Sequence, residues 1–131
     1  MKNFWSRNLI KKKQSEIKTI LFQQADYLGK MTKNIIKAEV ETKIAAFQTN
    51  PQKKYFNHHF VIKSAALKYS FVLFYVRHSI NSEYPLAITV PENMTLNASE
   101  IKNEKEFSEK LKLIFSDKKT TEIINSLIAQ S

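Results

Sequence analysis

Residues 67–78 read LKYSFVLFYVRH, a stretch that contains no Gly or Pro and is dominated by Phe, Tyr and Val. These residue types suit the pleated, packed surface of a β-sheet. Side chains alternate between the two faces of a strand, so Phe71 and Leu73 lie on one face while Phe74 and Val76 lie on the other. Because both faces are apolar in the middle, we predict an inner strand that is covered on both sides.

Two further strands are predicted next to this one. Residues 56–63 alternate in polarity, and residues 84–90 form a third strand with Pro85 and Pro91 near its ends. Proline cannot donate a backbone hydrogen bond, which favours an edge position for the third strand. Short connections favour an antiparallel meander, so we predict a three-stranded antiparallel sheet over residues 56–90.

A long helix is predicted in front of the sheet, over residues 14–48, which contain no Pro and one Gly. Uninterrupted, it would be about 50 Å long, which a domain of this size cannot cover from end to end. Either the helix breaks near Gly29, or part of its apolar stripe contacts another chain. The stripe has helical spacing and supplies the predicted partner-binding residues: Ile17, Leu21, Leu28, Met31 and Ile35.

Two shorter helices are predicted after the sheet, over residues 103–129. Asn103 followed by Glu106 is typical of a helix N-cap, and Asp117 opens the last helix. Residues 91–102 are interpreted as a polar loop. The fold class is therefore α+β, with residues 14–131 forming a single domain behind a basic arm at residues 1–13.

The chain has a net charge of +9, which is concentrated at its front. Residues 1–54 contain 12 Lys and Arg against 4 Asp and Glu, whereas residues 55–131 contain 9 against 8. Such an asymmetry is typical of a surface that binds an acidic partner, although a row of lysines is often only a solvated face. The residues that would bind a nucleic acid are Lys11, Lys12, Lys13, Lys30, Lys33 and Lys37.

Composition excludes several kinds of chemical site. Without Cys the chain has no disulfide, thiol nucleophile or thiolate metal ligand, and a single Gly cannot form a glycine-rich phosphate loop. His58 and His59 are neighbours, and neighbours on a strand point to opposite faces, which disfavours a shared metal. We predict no cofactor and no metal.

One enzymatic hypothesis is a metal-free ribonuclease. Such an enzyme would use His58 or His59 together with His78 as general acid and base, with Arg77 or Lys63 as the cation near the phosphate. His59 and His78 could share a face of the sheet. Against this, His78 lies at a strand end, where non-catalytic histidines are common.

The pattern favours a non-enzymatic binding or assembly module that acts through its N-terminal helix, by dimerisation or by docking to a partner protein. The alternative is a nucleic-acid-binding protein that uses the Lys-rich half. A third possibility is a membrane-surface protein led by Phe4 and Trp5. No run of apolar residues is long enough to span a membrane and the N-terminus lacks a signal-peptide core, so we expect a cytoplasmic protein.

Overall fold

The computed structural model describes residues 1–9 and 15–131. Within these residues, five strands form one antiparallel sheet in which strands that are consecutive in the chain are also neighbours in the sheet. The α+β class is confirmed, but the prediction of a three-stranded sheet is wrong because five strands are present. In chain order the elements are α1 (Glu16–Met31), β1 (Ile36–Ala46), β2 (Lys54–Ser64), β3 (Tyr69–Ser79), β4 (Leu86–Thr89), a short 3-10 turn (Met94–Leu96), β5 (Ala98–Ile101), α2 (Glu104–Ser116) and α3 (Lys118–Gln130).

The predicted helix over residues 14–48 is wrong in its second half. Helix α1 ends at Met31, and the chain then reverses through Lys33 and Asn34, which have φ angles of 53° and 65°. The Asn34 N–H donates to the Gly29 carbonyl at 2.7 Å. A Cβ on Gly29 would lie 3.2 Å from Asn34 Oδ1, so the single glycine permits the close approach of this turn to the helix.

The misassigned segment is β1, the longest edge of the sheet. Its apolar residues Ile36, Val40 and Ile44 are four apart, a spacing that suits one face of a helix and equally one face of a strand. β2 provides the deciding interaction, since β1 pairs with it along its whole length, from Ile36 opposite Ser64 to Ala46 opposite Lys54. Long-range pairing therefore overrides a locally ambiguous pattern.

A bulge in the β2–β3 ladder explains why both faces of the 67–78 stretch look apolar. Phe60 pairs with Phe74, but Val61 pairs with Val72, which leaves Leu73 as the extra residue. Alternation restarts at a bulge, so Leu73 and Phe74 both enter the hydrophobic core. The prediction of an inner strand is confirmed, since β3 lies between β2 and β4. The prediction of cover on both sides is wrong, because the core and the helices lie on one face.

The third predicted strand is shorter than expected and is not an edge. β4 is flanked on its far side by β5, with Leu86 opposite Ile101 and Ile88 opposite Ala98. The loop predicted over residues 91–102 therefore contains a strand at its end. The sequence of β5, ASEI, is too short to show an alternating pattern.

All three helices pack on the same face of the sheet. The predicted cap of α2 is confirmed, since the Glu106 N–H donates to Asn103 Oδ1 at 2.9 Å. The cap of α3 is also confirmed, with the Lys119 N–H donating to Asp117 Oδ2 at 3.0 Å. The helices contribute to one core with the strands through Ile17, Leu21, Phe107, Leu111 and Ile114. Among the described residues, no helix is long and apolar enough to cross a membrane.

Candidate functional site

A mainly apolar opening lies between α1 and α3, above the sheet. This α1–α3 cleft has a volume of about 390 Å³. Ligand sites in proteins are commonly concave and mostly apolar, with a few polar groups that orient the occupant. The apolar lining residues come from α1 (Leu28, Met31), from the sheet (Phe60, Ile62, Leu73), from α2 (Phe115) and from α3 (Ile124, Ile128).

The structure divides the five predicted partner-binding residues among three environments. Ile17 and Leu21 are 0% exposed in the chain's own core. Leu28 and Met31 line the α1–α3 cleft. Ile35 is exposed in the turn after α1 and borders a different groove. Of these five residues, therefore, only Leu28 and Met31 in the last turns of α1 line the cleft.

The mouth of the cleft combines exposed apolar side chains with uncharged polar side chains. Tyr27 and Met31 are 57% and 82% exposed at this position. Lys30 pairs with Asp26 at 2.8 Å on the outer side of α1, where both line a separate groove beside β1. Ion pairs of this exposure contribute little to stability, so their charges stay available to solvent or to a partner.

The predicted nucleic-acid-binding lysines do not form one row. Lys11, Lys12 and Lys13 lie outside the described residues. Lys30 is on α1, Lys33 is in the turn that follows, and Lys37 is on β1, so the helical spacing on which the prediction rested is absent.

A different basic cluster lies at one end of the sheet. Lys37, Lys63 and Lys68 line a shallow groove of about 340 Å³ together with the exposed ring of Tyr69. Lys63 forms an ion pair with Glu39 at 2.6 Å. The pairing of β1 with β2 creates this cluster, and without a strand at residues 36–46 the sequence could not indicate it.

His58 and His78 form a buried hydrogen-bonded pair, with their Nε2 atoms 2.8 Å apart. His78 Nδ1 lies 2.9 Å from the Ser79 carbonyl oxygen and 3.1 Å from that of Ser82. Carbonyl oxygens only accept, so His78 Nδ1 carries a proton, and one of the two Nε2 atoms donates to the other. His58 Nδ1 shares a hydrogen bond with the Thr42 hydroxyl, 2.9 Å away.

Every ring nitrogen of this pair has a partner within the fold. His58 and His78 are only 2% and 7% exposed, which favours a structural role over general acid–base catalysis. His59 does not join them, because it lies on the opposite face with its ring centroid 4.7 Å from that of Tyr75. Arg77 also lies on that face, 5.9 Å from the Tyr55 ring. The structure therefore brings His58 and His78 together, but the prediction that His59 and His78 share a face is wrong. Neither Arg77 nor Lys63 lies beside the buried pair.

Burial sets the protonation of His58. It lowers the pKa of His58 from 6.5 to about 4, with further lowering by the nearby His78, Lys18 and His59. His58 is therefore neutral near pH 7. Burial beside Glu16 raises the pKa of the Tyr84 phenol at the mouth of the same region. Within residues 1–9 and 15–131, no group of three or more His, Asp or Glu is arranged to hold a metal.

Comparison with known proteins gives no relative from which a function could be transferred. The chain matches no protein-family model, and neither curated proteins nor solved structures show a significant match to it. Function has to be argued from the surfaces described above.

Proposed function

We propose that the chain is a non-enzymatic protein-binding module whose N-terminal helix acts together with α3. The occupant of the α1–α3 cleft is an acidic amphipathic helix of a partner protein. The observation that carries the proposal is the open apolar cleft, with Leu28 and Met31 of α1 on one wall and Ile124 and Ile128 of α3 on the other.

The shape of the cleft favours a peptide helix over a compact small molecule. An amphipathic helix inserts its apolar face into a groove between elements and leaves its polar face in water. Tyr27 and Met31 stand at the mouth and are largely exposed, so a long occupant would cover them while filling the floor. A small ligand enclosed by the floor alone would leave both side chains in water.

Charge complementarity favours an acidic partner. The chain carries +9 overall. The side chains that line the cleft are uncharged. In the chain, Lys33 follows the wall formed by α1, and Lys118 and Lys119 begin the helix that forms the other wall. A positive overall charge attracts acidic segments and speeds their association.

The test places a photo-crosslinking benzoylphenylalanine at Tyr27 in the native host. We expect crosslinking to a protein segment, and we expect Met31→Glu to lower the yield by at least about tenfold, because binding would bury an unpaired charge. Leu113 is a matched control, since it is an exposed apolar residue on α2 outside the cleft. The same crosslinker at Leu113, and the substitution Leu113→Glu, should not reproduce either result.

Mass spectrometry of the crosslinked peptide decides the outcome. An acidic segment with an apolar helical stripe supports the proposal. Crosslinks that form equally from Leu113, that disappear after nuclease treatment, or that join a neutral or basic segment contradict it.

The basic groove at the sheet end favours a second candidate function, which is nucleic-acid binding through Lys37, Lys63 and Lys68 beside Tyr69. Bases stack on exposed aromatic rings, and lysines neutralise phosphates. We expect Lys37→Glu with Lys68→Glu to weaken binding of a single-stranded oligonucleotide by at least about tenfold and to reduce its salt dependence, measured by fluorescence anisotropy.

Lys105→Glu with Lys112→Glu makes the same change in charge on exposed positions of α2 and is the matched control. Equal losses in the two double variants would show only a general charge effect and would rule out this groove as the site.

A further inference from the structure

We infer that the chain forms a homodimer in which β1 pairs antiparallel with β1 of a second copy, about a two-fold axis at Thr42. The two five-stranded sheets then become one continuous sheet. This inference goes beyond the cleft and does not depend on it, because it uses a different surface.

The outer edge of β1 is long and unpaired. β1 runs from Ile36 to Ala46, and among the described residues no strand pairs with its outer side. The opposite edge of the sheet is β5, which has only four residues. Unpaired edge strands present a row of free backbone N–H and C=O groups, and proteins usually keep such edges short or cover them. A full-length open edge is therefore the feature that needs a partner.

The charge pattern of β1 matches itself in one register. With the axis at Thr42, each Glu41 lies opposite Lys43 of the other copy, and each Val40 lies opposite Ile44 of the other copy. Opposite charges and apolar pairs facing each other across a ladder stabilise it. Both favourable pairs occur twice, because the axis repeats them.

Neighbouring registers bring like charges together. An axis at Val40 sets Lys37 against Lys43, whereas an axis at Glu41 or at Lys43 sets that residue against its own copy. Like charges directly opposite each other destabilise a ladder. Registers in which the axis lies midway between two residues are excluded, because they would place residues of the core-facing side opposite residues of the outer side. Among the registers centred from Val40 to Lys43, the charge pattern of β1 therefore favours the one centred on Thr42.

Apolar exposure along the edge agrees with this pairing. Ile44 is 60% exposed although it lies on the side of the sheet that the helices cover. Phe22 of α1 is also exposed and lines a shallow groove along the same edge with Lys37 and Ala38. In the dimer Ile44 packs against Val40 of the second copy, and Phe22 flanks the junction.

Light scattering after size-exclusion chromatography, at micromolar concentration, tests the dimer. We expect wild type to be dimeric, and we expect Glu41→Lys or Lys43→Glu alone to weaken dimerisation by at least about tenfold, because each replaces two attractive pairs with two repulsive ones. Glu41→Lys combined with Lys43→Glu restores the attraction and should restore the dimer. Glu109→Lys on exposed α2 makes the same change in charge as Glu41→Lys and should leave the dimer intact.

Disulfide trapping tests the register. Because the native chain has no Cys, a single introduced Cys can form a disulfide only with its own copy. Opposite residues of an antiparallel pair have Cα atoms about 4.5 to 5.5 Å apart, within the range of a disulfide. We therefore expect Thr42→Cys to form a crosslinked dimer under mild oxidation. Glu39→Cys should not, since the two copies of that position would be about 20 Å apart along the strand.

A monomeric wild type overturns the inference. So does a charge-swapped double variant that is folded by circular dichroism but stays monomeric. Equal trapping at Thr42→Cys and Glu39→Cys overturns the proposed register.

Discussion

Leu21→Ala is expected to lower the free energy of unfolding by about 3 kcal/mol. Leu21 is a residue of α1 that is 0% exposed, and it packs in the core together with Ile17. Truncation removes buried methyl groups and leaves a cavity that the surrounding strands cannot fully close. Urea unfolding followed by circular dichroism measures the loss as a lower midpoint with an unchanged slope.

The matched control is Met31→Ala. Met31 lies almost three turns beyond Leu21 on the same apolar stripe of α1. Met31 is 82% exposed, so its truncation should change stability by no more than about 0.5 kcal/mol. If the two variants lost the same stability, α1 would not pack as the structure has it. The contrast separates the part of the stripe that builds the core from the part that stays free to bind.

The second large effect is a loss of about 3 kcal/mol of stability between about pH 7 and pH 4, caused by His58. In the folded chain burial lowers the pKa of His58 to about 4, whereas the unfolded chain has the ordinary value of 6.5. At pH values between these two pKa values, His58 is protonated in the unfolded state but not in the folded state, so acid favours unfolding. This contribution to stability is complete above about pH 6.5 and is lost as the pH falls towards 4.

Urea unfolding at a series of pH values tests this effect, with His58→Phe as the diagnostic variant. The new ring keeps the aromatic neighbourhood of Phe56, whose centroid lies 6.1 Å from that of His58. We expect the variant to be less stable near neutrality, because the hydrogen bonds to Thr42 and His78 are lost. Its stability should nevertheless depend much less on pH than that of wild type.

His59→Phe is the control for the pH series, since His59 lies on the other face of the sheet and is less buried. It should keep most of the dependence on pH. An unchanged dependence in His58→Phe would show that the acid sensitivity comes from other groups.

Local patterns were enough to predict the elements that have strong local signals. Asn103 and Asp117 mark the starts of α2 and α3 because their side chains accept from backbone N–H groups only two or three residues away. The alternation in residues 56–63 identified the middle of β2, and the aromatic content of residues 67–78 identified β3. These features depend on neighbours in the sequence, so the sequence contains all the information needed.

Local sequence patterns predicted much less about the candidate sites. The apolar stripe of α1 was visible, but whether Leu21 or Met31 faces the core depends on where α3 and the sheet lie. The pairing of His58 with His78 requires the register between β2 and β3, and the hydrogen bond to Thr42 requires β1. Each of these relations joins residues that are far apart in the chain.

By itself the sequence determined the α+β class, the helix caps and the inner position of β3. Only the tertiary structure decided that residues 36–46 are a strand, because the spacing of Ile36, Val40 and Ile44 fits both periods and pairing with β2 selects one of them. That choice turned half of a predicted helix into the open edge of a sheet. The physical reason is that a helix and a paired strand both satisfy the backbone hydrogen bonds, so tertiary contacts, which pair β1 with β2 and place Ile36 in the core, override the weak local preference.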